Sequence, residues 1–514
     1  MIREGRDSMS KSKIVEIEKL AEILEKEKRK GRKIVQCHGC FDLLHPGHIK
    51  HFEAARKMGD ILVVTLTPDR YVNKGPGRPV YNERLRAETI SSIGVVDYVA
   101  INKWPDAEKT IKLLKPSYYV KGQEYKSRED DITGKIYDEE AAVKSVGGEM
   151  RFTEEVTFTS TGLINQFFQV LSNEADGYLK QFRAGHTMEE VSEAIDRLGD
   201  MQVLVAGDII IDDYTFCKAM GMTIKSPIIS ARELRTERYA GGVLAVANHV
   251  SNFVKKVHLV ATWGGEPEIL GFIKSSISPN VELHLIENRD APTVVKRRFI
   301  EQFNNQKMLE ISKIKDDYIS SGPEAKVMAA IIKLAPKCDA TLVADFGHGF
   351  ITPKIVKTLG SLKNFVAVNV QTNSANYGFN MVTKYSGPDY LCLDERELRL
   401  PLNDRFSPVE DCINRISKAT KCGSINVTLG KSGSLYYCKG KFNFVPVFSS
   451  DVVDSVGAGD AVFSITALLA AKNVDPSVIP FIGNCVGGLK VRILGNKDSV
   501  HKVNLMKFMG GLLK

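Results

Sequence analysis

The sequence predicts an α/β protein made of two parallel-sheet units, a small one followed by a larger one. Three observations carry this. At 514 residues the chain is too long for one hydrophobic core. Short β-rich runs alternate with helical patterns, the order that builds parallel sheets. Two separate Gly-containing turns, "HPGH" and "GAGD", each stand just before a helix.

In the first unit, "KIVQCHGCFD", "DILVVTLTPD", "DYVAIN" and "SYYVKG" read as strands, and "NERLRAETISSIG" reads as a helix. This unit is expected to span residues 1–165. Residues 166–200 turn helical and charged, with a capping box at Thr187 and Glu190, and read as a linker. Residues 201–514 form the second series, through "QVLVAGDIIID", "KVHLVATWG", "ATLVADFG", "FVAVNVQ", "SINVTLG" and the helix after "GAGD". There is no internal repeat and no low-complexity segment.

Composition narrows the function. The net charge of +8 is modest for this length, and Lys and Arg are dispersed rather than blocked. That favours anionic small molecules over nucleic acid as partners. No apolar run reaches membrane-span length, and the first twenty residues lack a signal-peptide core, so a cytoplasmic protein with no membrane partner is expected. Nine cysteines without CxxC pairs suit a reducing compartment and no cysteine-built zinc site.

The turn in "CHGCFDLLHPGHIKHFEAARKMGD" carries chemistry. A strand at Ile34–Cys37 enters it, Pro46 stands where a helix begins, and Gly59 is placed to end that helix. Backbone N–H groups at the helix start can hold a phosphate. His45 and His48 flank Gly47, whose missing side chain admits close approach, and both can donate to a phosphoryl group gaining charge. Asp42 is close enough to contribute. The competing reading is that the histidines only cap a helix. In "DVVDSVGAGDAVFSITALLAA", Gly457, Ala458 and Gly459 precede an apolar helix and can converge N–H groups on an anion. Asp460 at that helix start can take a proton from an attacking alcohol. Alone, the motif could equally be a tight turn.

"GCFDLLHPGH" resembles the HxGH signature of cytidylyltransferase-like nucleotidyltransferases. With "GRPVYNERLRAETISSIGVVDYV", "VKGQEYK" and "FTSTGLIN", residues 33–166 look like the adenylyltransferase part of bifunctional ADP-heptose synthases. The resemblance implies that His45 and His48 bind triphosphate, that Lys74 neutralises phosphate charge, and that Gly39, Phe41, Arg84, Ser160 and Thr161 line the nucleotide site. Class I aminoacyl-tRNA synthetases share the HxGH idea, but "SMSKS" lies on the wrong side of the histidines for their second motif.

Residues 201–505 resemble ribokinase/PfkB-family sugar kinases of the heptose-kinase branch, through "VLVAGDIIIDDY", "RYAGGVLAVANH", "APTVVKRRF", "VADFGHG", "VTLGKSG", "GAGD" and "FIGN" in family order. Both units are then Rossmann-like. The resemblance makes Asp460 the catalytic base and Gly457 and Gly459 the anion hole, with Asp454 in the same motif. It assigns Asp208, Asp212, Gly241, Gly242, Lys296 and Arg298 to the acceptor, though Lys296 and Arg298 could instead be solvated surface charges. It places Thr428, Gly430, Gly433 and Asn484 around ATP. Asp394 and Glu397 stand where the family organises Mg²⁺.

Three departures accompany the resemblance. Ala245 replaces an asparagine of the heptose kinases, Asp394 replaces the asparagine of an Asn-x-x-Glu motif, and the two domains come in reversed order. The combined expectation is an enzyme with sugar kinase and sugar-1-phosphate nucleotidyltransferase activities. It would use Mg²⁺ and ATP, with ATP or CTP as nucleotidyl donor, and make ADP-heptose or a relative for surface glycans, with a homodimer allowed. The alternatives are CDP-sugar or CDP-polyol synthesis, and a nucleotide-binding scaffold or sensor with one inactive site.

Overall fold

The computed structural model describes residues 13–72, 77–122, 135–153, 171–303, 305–315, 317–449 and 452–513. The chain divides into two compact units, residues 1–172 with 506–514, and residues 173–505.

The first unit holds β1 (Ile34–Gly39), β2 (Ile61–Leu66), β3 (Tyr98–Ile101), β4 (Tyr118–Lys121) and β5 (Glu149–Phe152) in one sheet of order β3-β2-β1-β4-β5. Every pairing in it is parallel. β2 reads ILVVTL and all six residues are buried, as a strand covered on both faces requires. The helix Ile17–Arg29 contributes Ile17, Leu20 and Leu24, whose spacing puts them on one buried stripe. Strand order reverses between β1 and β4. The crevice at the carboxyl ends of these two strands is where such sheets bind ligands, and the HPGH turn follows β1 directly. β5 escapes the sequence reading because EMRF is half polar and only partly buried.

The second unit contains a nine-stranded sheet and a four-stranded one. The large sheet comprises β6 (Gln202–Gly207), β9 (Lys256–Trp263), β10 (Val281–Glu287), β13 (Ala340–Asp345), β14 (Phe365–Val370), β15 (Tyr390–Asp394), β16 (Ser424–Thr428), β17 (Ser434–Cys438) and β18 (Lys441–Val445). Its order is β10-β9-β6-β13-β14-β15-β16-β17-β18, antiparallel only in the last two pairings. The small sheet comprises β7 (Ile209–Met222), β8 (Ile229–Gly242), β11 (Val294–Glu301) and β12 (Gln306–Lys313) in the order β12-β11-β7-β8. "QVLVAGDIIID", where the second series opens, is thus two strands in different sheets. The nine leading residues of β7 are buried and the last five exposed, so this sheet runs out from the core as a flap. Gly207 is required at the crossing, since a Cβ there would lie 2.1 Å from the Ala344 carbonyl oxygen.

The linker expectation is corrected. Helices do form at Asn173–Gly185 and Met188–Asp196, and Thr187 with Glu190 closes the expected capping box. Their apolar stripes, however, pack into the second unit. Phe182 is 5% exposed and stacks on Phe481 with ring centroids 4.2 Å apart, and His186 hydrogen-bonds Ser477 at 2.8 Å. Charged residues on the outer faces made this segment read as a spacer. Phe182→Ala is expected to destabilise the second unit by about 3–5 kcal/mol through the cavity left behind. Thermal unfolding checks this, and an unchanged transition would restore the spacer reading.

Candidate active sites

In the first unit, β1 delivers Gly39 to the sheet edge and Phe41 follows with φ 46°, a left-handed conformation that turns the chain. Phe41 meets His48 edge-on, with centroids 5.3 Å apart. A Cβ on Gly39 would come within 3.0 Å of the Phe41 ring. Asp42 is buried and paired with Arg78 at 3.0 Å, and it also accepts the Val80 N–H at 2.6 Å, so it braces the loop. The helix Pro46–Arg56 then begins, with His45 at its N-cap and His48 three residues on. Their rings stack with centroids 3.9 Å apart. His48 Nδ1 accepts the His45 N–H at 3.4 Å, which puts the proton of a neutral ring on Nε2, a donor. Burial holds His45 below the ordinary histidine range, so its ring is neutral near pH 7.

The sequence reading passed over Arg86. This buried guanidinium donates to the Thr67 and Tyr81 carbonyls at 2.9 and 3.0 Å, to Cys40 O, and to Asp69 at 2.6 Å. It ties together the loops after β1 and β2. Arg84, two residues earlier, stands on the exposed side of the same helix and pairs with Glu88 at 3.2 Å. Lys74, Ser160 and Thr161 lie outside the described residues.

In the second unit, Asp460 sits buried in the first turn of the helix Ala458–Ala471. Burial pushes its carboxyl up to about 6, although Gln371 donates to it and Lys490 and Lys296 are close enough to favour the charged form. Gly457 precedes this helix with φ 76°, and a Cβ there would strike Asn496 Oδ1 at 2.4 Å. A Cβ on Gly459 would meet nothing within 4 Å, so no protein neighbour demands glycine at that position. Beneath the turn, Lys490 is fully buried and donates to Val456 O at 2.9 Å and Gly495 O at 2.7 Å; burial pushes its ammonium down to about 8. A lysine closing the apolar pattern "VIPFIGNCVGGLK" is the signal that would have found it. Asp454 braces the same turn, accepting from Tyr214 at 2.9 Å, Gly495 N at 2.9 Å and Lys307 at 2.5 Å. Burial would raise its pKa, but these donors leave it below the ordinary value.

The acceptor residues separate into two groups. Asp212, Arg298 and Asn496 come together: Arg298 pairs with Asp212 and, at 2.8 Å, with Glu310, while Asn496 donates to Asp212 at 3.1 Å. Lys296 is in register with Asp212 across β7 and β11, and burial lowers its pKa. Gly241 makes room for Asp212, since a Cβ would stand 2.2 Å from Asp212 Oδ2; at Gly242, whose φ is 57°, a Cβ would stand 2.6 Å from Asp208 O. Asp208 departs from the expectation. Its two oxygens accept the N–H groups of Phe346 and Phe350 at 3.1 Å and of His348 at 3.5 Å, and burial beside Asp345 pushes it up to about 6. It holds the loop after β13 and also lines a cavity with Gly264, Asn288 and Thr293.

The residues expected to hold Mg²⁺ have a structural role of their own. Asp394 and Glu397 form a capping box at the helix Glu395–Arg399: Asp394 Oδ1 accepts Glu397 N at 2.8 Å and Glu397 Oε2 accepts Asp394 N at 2.7 Å. Glu397 Oε1 takes the Thr372 N–H at 3.1 Å, and burial pushes this carboxyl up to about 8. Three of the four carboxylate oxygens are thus spent on backbone donors, two of them on Glu397, so the pair is built first as a helix cap. Asp394→Ala should cost about 0.5–2 kcal/mol in stability, the usual worth of an N-cap, with the Mg²⁺ dependence of any activity unchanged. Denaturant unfolding beside a Mg²⁺ titration checks both halves.

Around the expected ATP position, Gly430 and Gly433 have φ 59° and 107°, and a Cβ on Gly433 would stand 2.0 Å from Val445 O. Thr428 donates to Leu393 O at 3.4 Å, and Asn484 spends its amide on Ser434 Oγ at 2.6 Å and Pro480 O at 3.0 Å.

Residues 37–166 match the family model "Cytidylyltransferase-like", and residues 354–501 match "pfkB family carbohydrate kinase". The chain joins these two kinds of segment, in that order. It resembles the Bifunctional protein HldE of Trichlorobacter lovleyi at 39% identity over 160 residues, 31% of this chain and 31% of that protein. The Gluconobacter oxydans protein of the same name is 41% identical over 150 residues, 29% and 30% of the two chains. The chain thus spans less than a third of the length of these curated relatives. Among solved structures, ribokinase from Thermotoga maritima aligns with TM-score 0.47 and 15% identity over 60% of this chain and 99% of that one. Phosphofructokinase-2 from Escherichia coli aligns with TM-score 0.49 and 12% identity over 61% and 100%. The two family matches take in the HPGH turn and Asp460, while Asp208 to Arg298 lie between them.

Proposed function

We propose that the chain is a two-site transferase that phosphorylates the anomeric hydroxyl of a sugar and then couples the sugar 1-phosphate to a nucleotide. The observation that carries this is the pairing, in one chain, of a buried carboxylate at a Gly-Ala-Gly helix start with two stacked imidazoles at the switch point of a second parallel sheet. The first chemistry makes what the second consumes.

At the kinase site Asp460 accepts the hydroxyl proton, the freed oxygen attacks the γ-phosphorus of ATP, and ADP leaves. N–H groups at the start of the Ala458 helix and the Lys296 ammonium meet the charge that develops. Asp212, held by Arg298 and Asn496, orients the acceptor. At the other site the sugar-phosphate oxygen attacks the α-phosphorus of a nucleoside triphosphate and pyrophosphate leaves, with His45 and His48 donating to the phosphates. Mg²⁺ belongs in this reading to the nucleotides rather than to Asp394 and Glu397. The product class is an NDP-sugar, ADP-heptose or a relative.

All nine cysteines are free thiols, which suits a reducing compartment, and no helix among the described residues is long and apolar enough to cross a membrane. Exposed Met220, Met222, Ile228, Ile229, Leu309 and Ile311 on the flap sheet or its β7–β8 turn suit pairing with a second copy. The test is a panel of sugars and sugar phosphates with ATP or CTP, reading ADP and pyrophosphate separately. Sugar-dependent ADP followed by sugar-1-phosphate-dependent pyrophosphate supports the reading. A chain that releases only one of the two has a single working site, and the reading fails.

A further inference from the structure

The edge of the nine-stranded sheet carries a second cluster of ligand-type side chains, which neither reaction uses. On β9 and β10, His258 lies in register with Glu282, and His284 follows Glu282 by two residues. Strand alternation therefore puts all three side chains on one face. Their ligand atoms all fall within 4.8 Å of one another. His258 Nδ1 is 3.2 Å from His284 Nε2 and 3.6 Å from Glu282 Oε2, and His284 Nε2 is 3.4 Å from Glu282 Oε1.

Those separations have a meaning in coordination chemistry. A tetrahedral zinc ion bound at about 2.0–2.1 Å holds its ligand atoms about 3.3–3.4 Å apart along each edge of the tetrahedron. The edges His258 Nδ1–His284 Nε2 and His284 Nε2–Glu282 Oε1 already stand close to that spacing, and a small turn of the carboxylate closes the third. Two imidazoles and one carboxylate are also a donor set that zinc uses where it keeps a fourth position for water. We propose that His258, Glu282 and His284 bind a zinc-class divalent cation, with water completing the tetrahedron.

The neighbouring groups set the terms of binding. Burial, opposed by Glu282, holds both imidazoles below the ordinary histidine range, so both present neutral nitrogens near pH 7. Lys256 Nζ sits 2.6 Å from Glu282 Oε2 and competes for that oxygen. It also fixes the carboxylate, leaving Oε1 turned to His284, the role an outer-shell partner plays at metal sites. Lys333 and Lys337 lie within electrostatic reach of the pair and weaken the site for any cation. The rival account is a hydrogen-bonded histidine pair beside a surface salt bridge, with no affinity for metal.

The two accounts separate in a Co²⁺ titration of the full chain. Tetrahedral Co²⁺ absorbs strongly in the visible, aqueous Co²⁺ weakly, and cysteine-bound Co²⁺ adds thiolate charge-transfer bands in the near ultraviolet. The unmodified protein should gain tetrahedral bands that saturate at one equivalent, lack thiolate charge transfer and disappear on adding Zn²⁺. His284→Ala should lose them. If that variant does not fold, Glu282→Gln serves instead, because it removes the anionic ligand while keeping the side-chain shape. An unmodified protein that shows only the aqueous spectrum, or a folded variant that keeps the bands, overturns the proposal.

Discussion

Asp460→Asn is expected to lower sugar-dependent ADP release by about 10²–10⁴-fold while leaving pyrophosphate release from a supplied sugar 1-phosphate intact. Asparagine keeps the shape and can keep a hydrogen bond to Gln371, but it cannot take the acceptor's proton. The pH profile gives a second reading. Burial raises Asp460 to about 6, and only its ionised form is a base. Kinase rate should therefore climb as pH rises through about 6 and level off above it, and the Asn variant should lose that acid limb. Steady-state rates for the two half-reactions from pH 5 to 8 decide the matter. Equal loss of both half-reactions in a folded variant would sink the assignment of separate sites.

The second large effect is expected at His48, and it must be separated from the capping contact its ring makes. His48→Ala removes both the acceptor of the His45 N–H and the donor on Nε2. His48→Asn keeps an acceptor near the Nδ1 position for the His45 N–H, the N3 half of the capping box, but it brings no donor to the Nε2 position. If the ring serves the transition state, both variants lose about 10²–10³ in nucleotidyl transfer, and only the alanine variant also loses stability. If the ring is only a cap, asparagine rescues activity. Pyrophosphate release measured beside thermal unfolding distinguishes the outcomes, with ADP release unchanged in both variants.

What the sequence made legible follows from where each role is encoded. The HPGH and GAGD turns read correctly as strand-to-helix and loop-to-helix transitions because all their parts are contiguous, and the second family match covers Asp460. Arg86 and Asn496 were not legible, since each acts through partners far off in the chain, Asn496 on Asp212 and Arg86 on Cys40, whereas Lys490 was marked by the charge that closes an apolar run. Asp208 and Asp212, four residues apart in one apolar run, looked equivalent. Only the passage from β6 to β7 between two sheets sends one to the loop after β13 and the other to Arg298. Asp394 and Glu397 are the opposite case: their capping role was legible but unread, for the Asp-x-x-Glu spacing is itself a capping-box signature. The helical segment after Asn173 was read with the right secondary structure and the wrong allegiance, because charge on its outer face says nothing about Phe182 beneath.

The order of the nine-stranded sheet bears on how the chain is made. Strand β6 lies inside that sheet, yet its neighbour β13 is encoded well over a hundred residues later; Gln202 N and Asp339 Oδ2, which meet where the two strands start, are 137 residues apart. At a synthesis rate of about 5–20 residues per second, a ribosome needs roughly 7–27 seconds to supply that partner. Throughout that interval β6 presents an unpaired edge and the apolar run VLVAG. The five strands of the first unit's sheet, by contrast, all fall between residues 34 and 152 and emerge well before it. The nascent chain therefore passes through a stage in which the nucleotidyltransferase sheet can be complete while the kinase core is an open edge, and it is in that window that a chaperone would find its binding site.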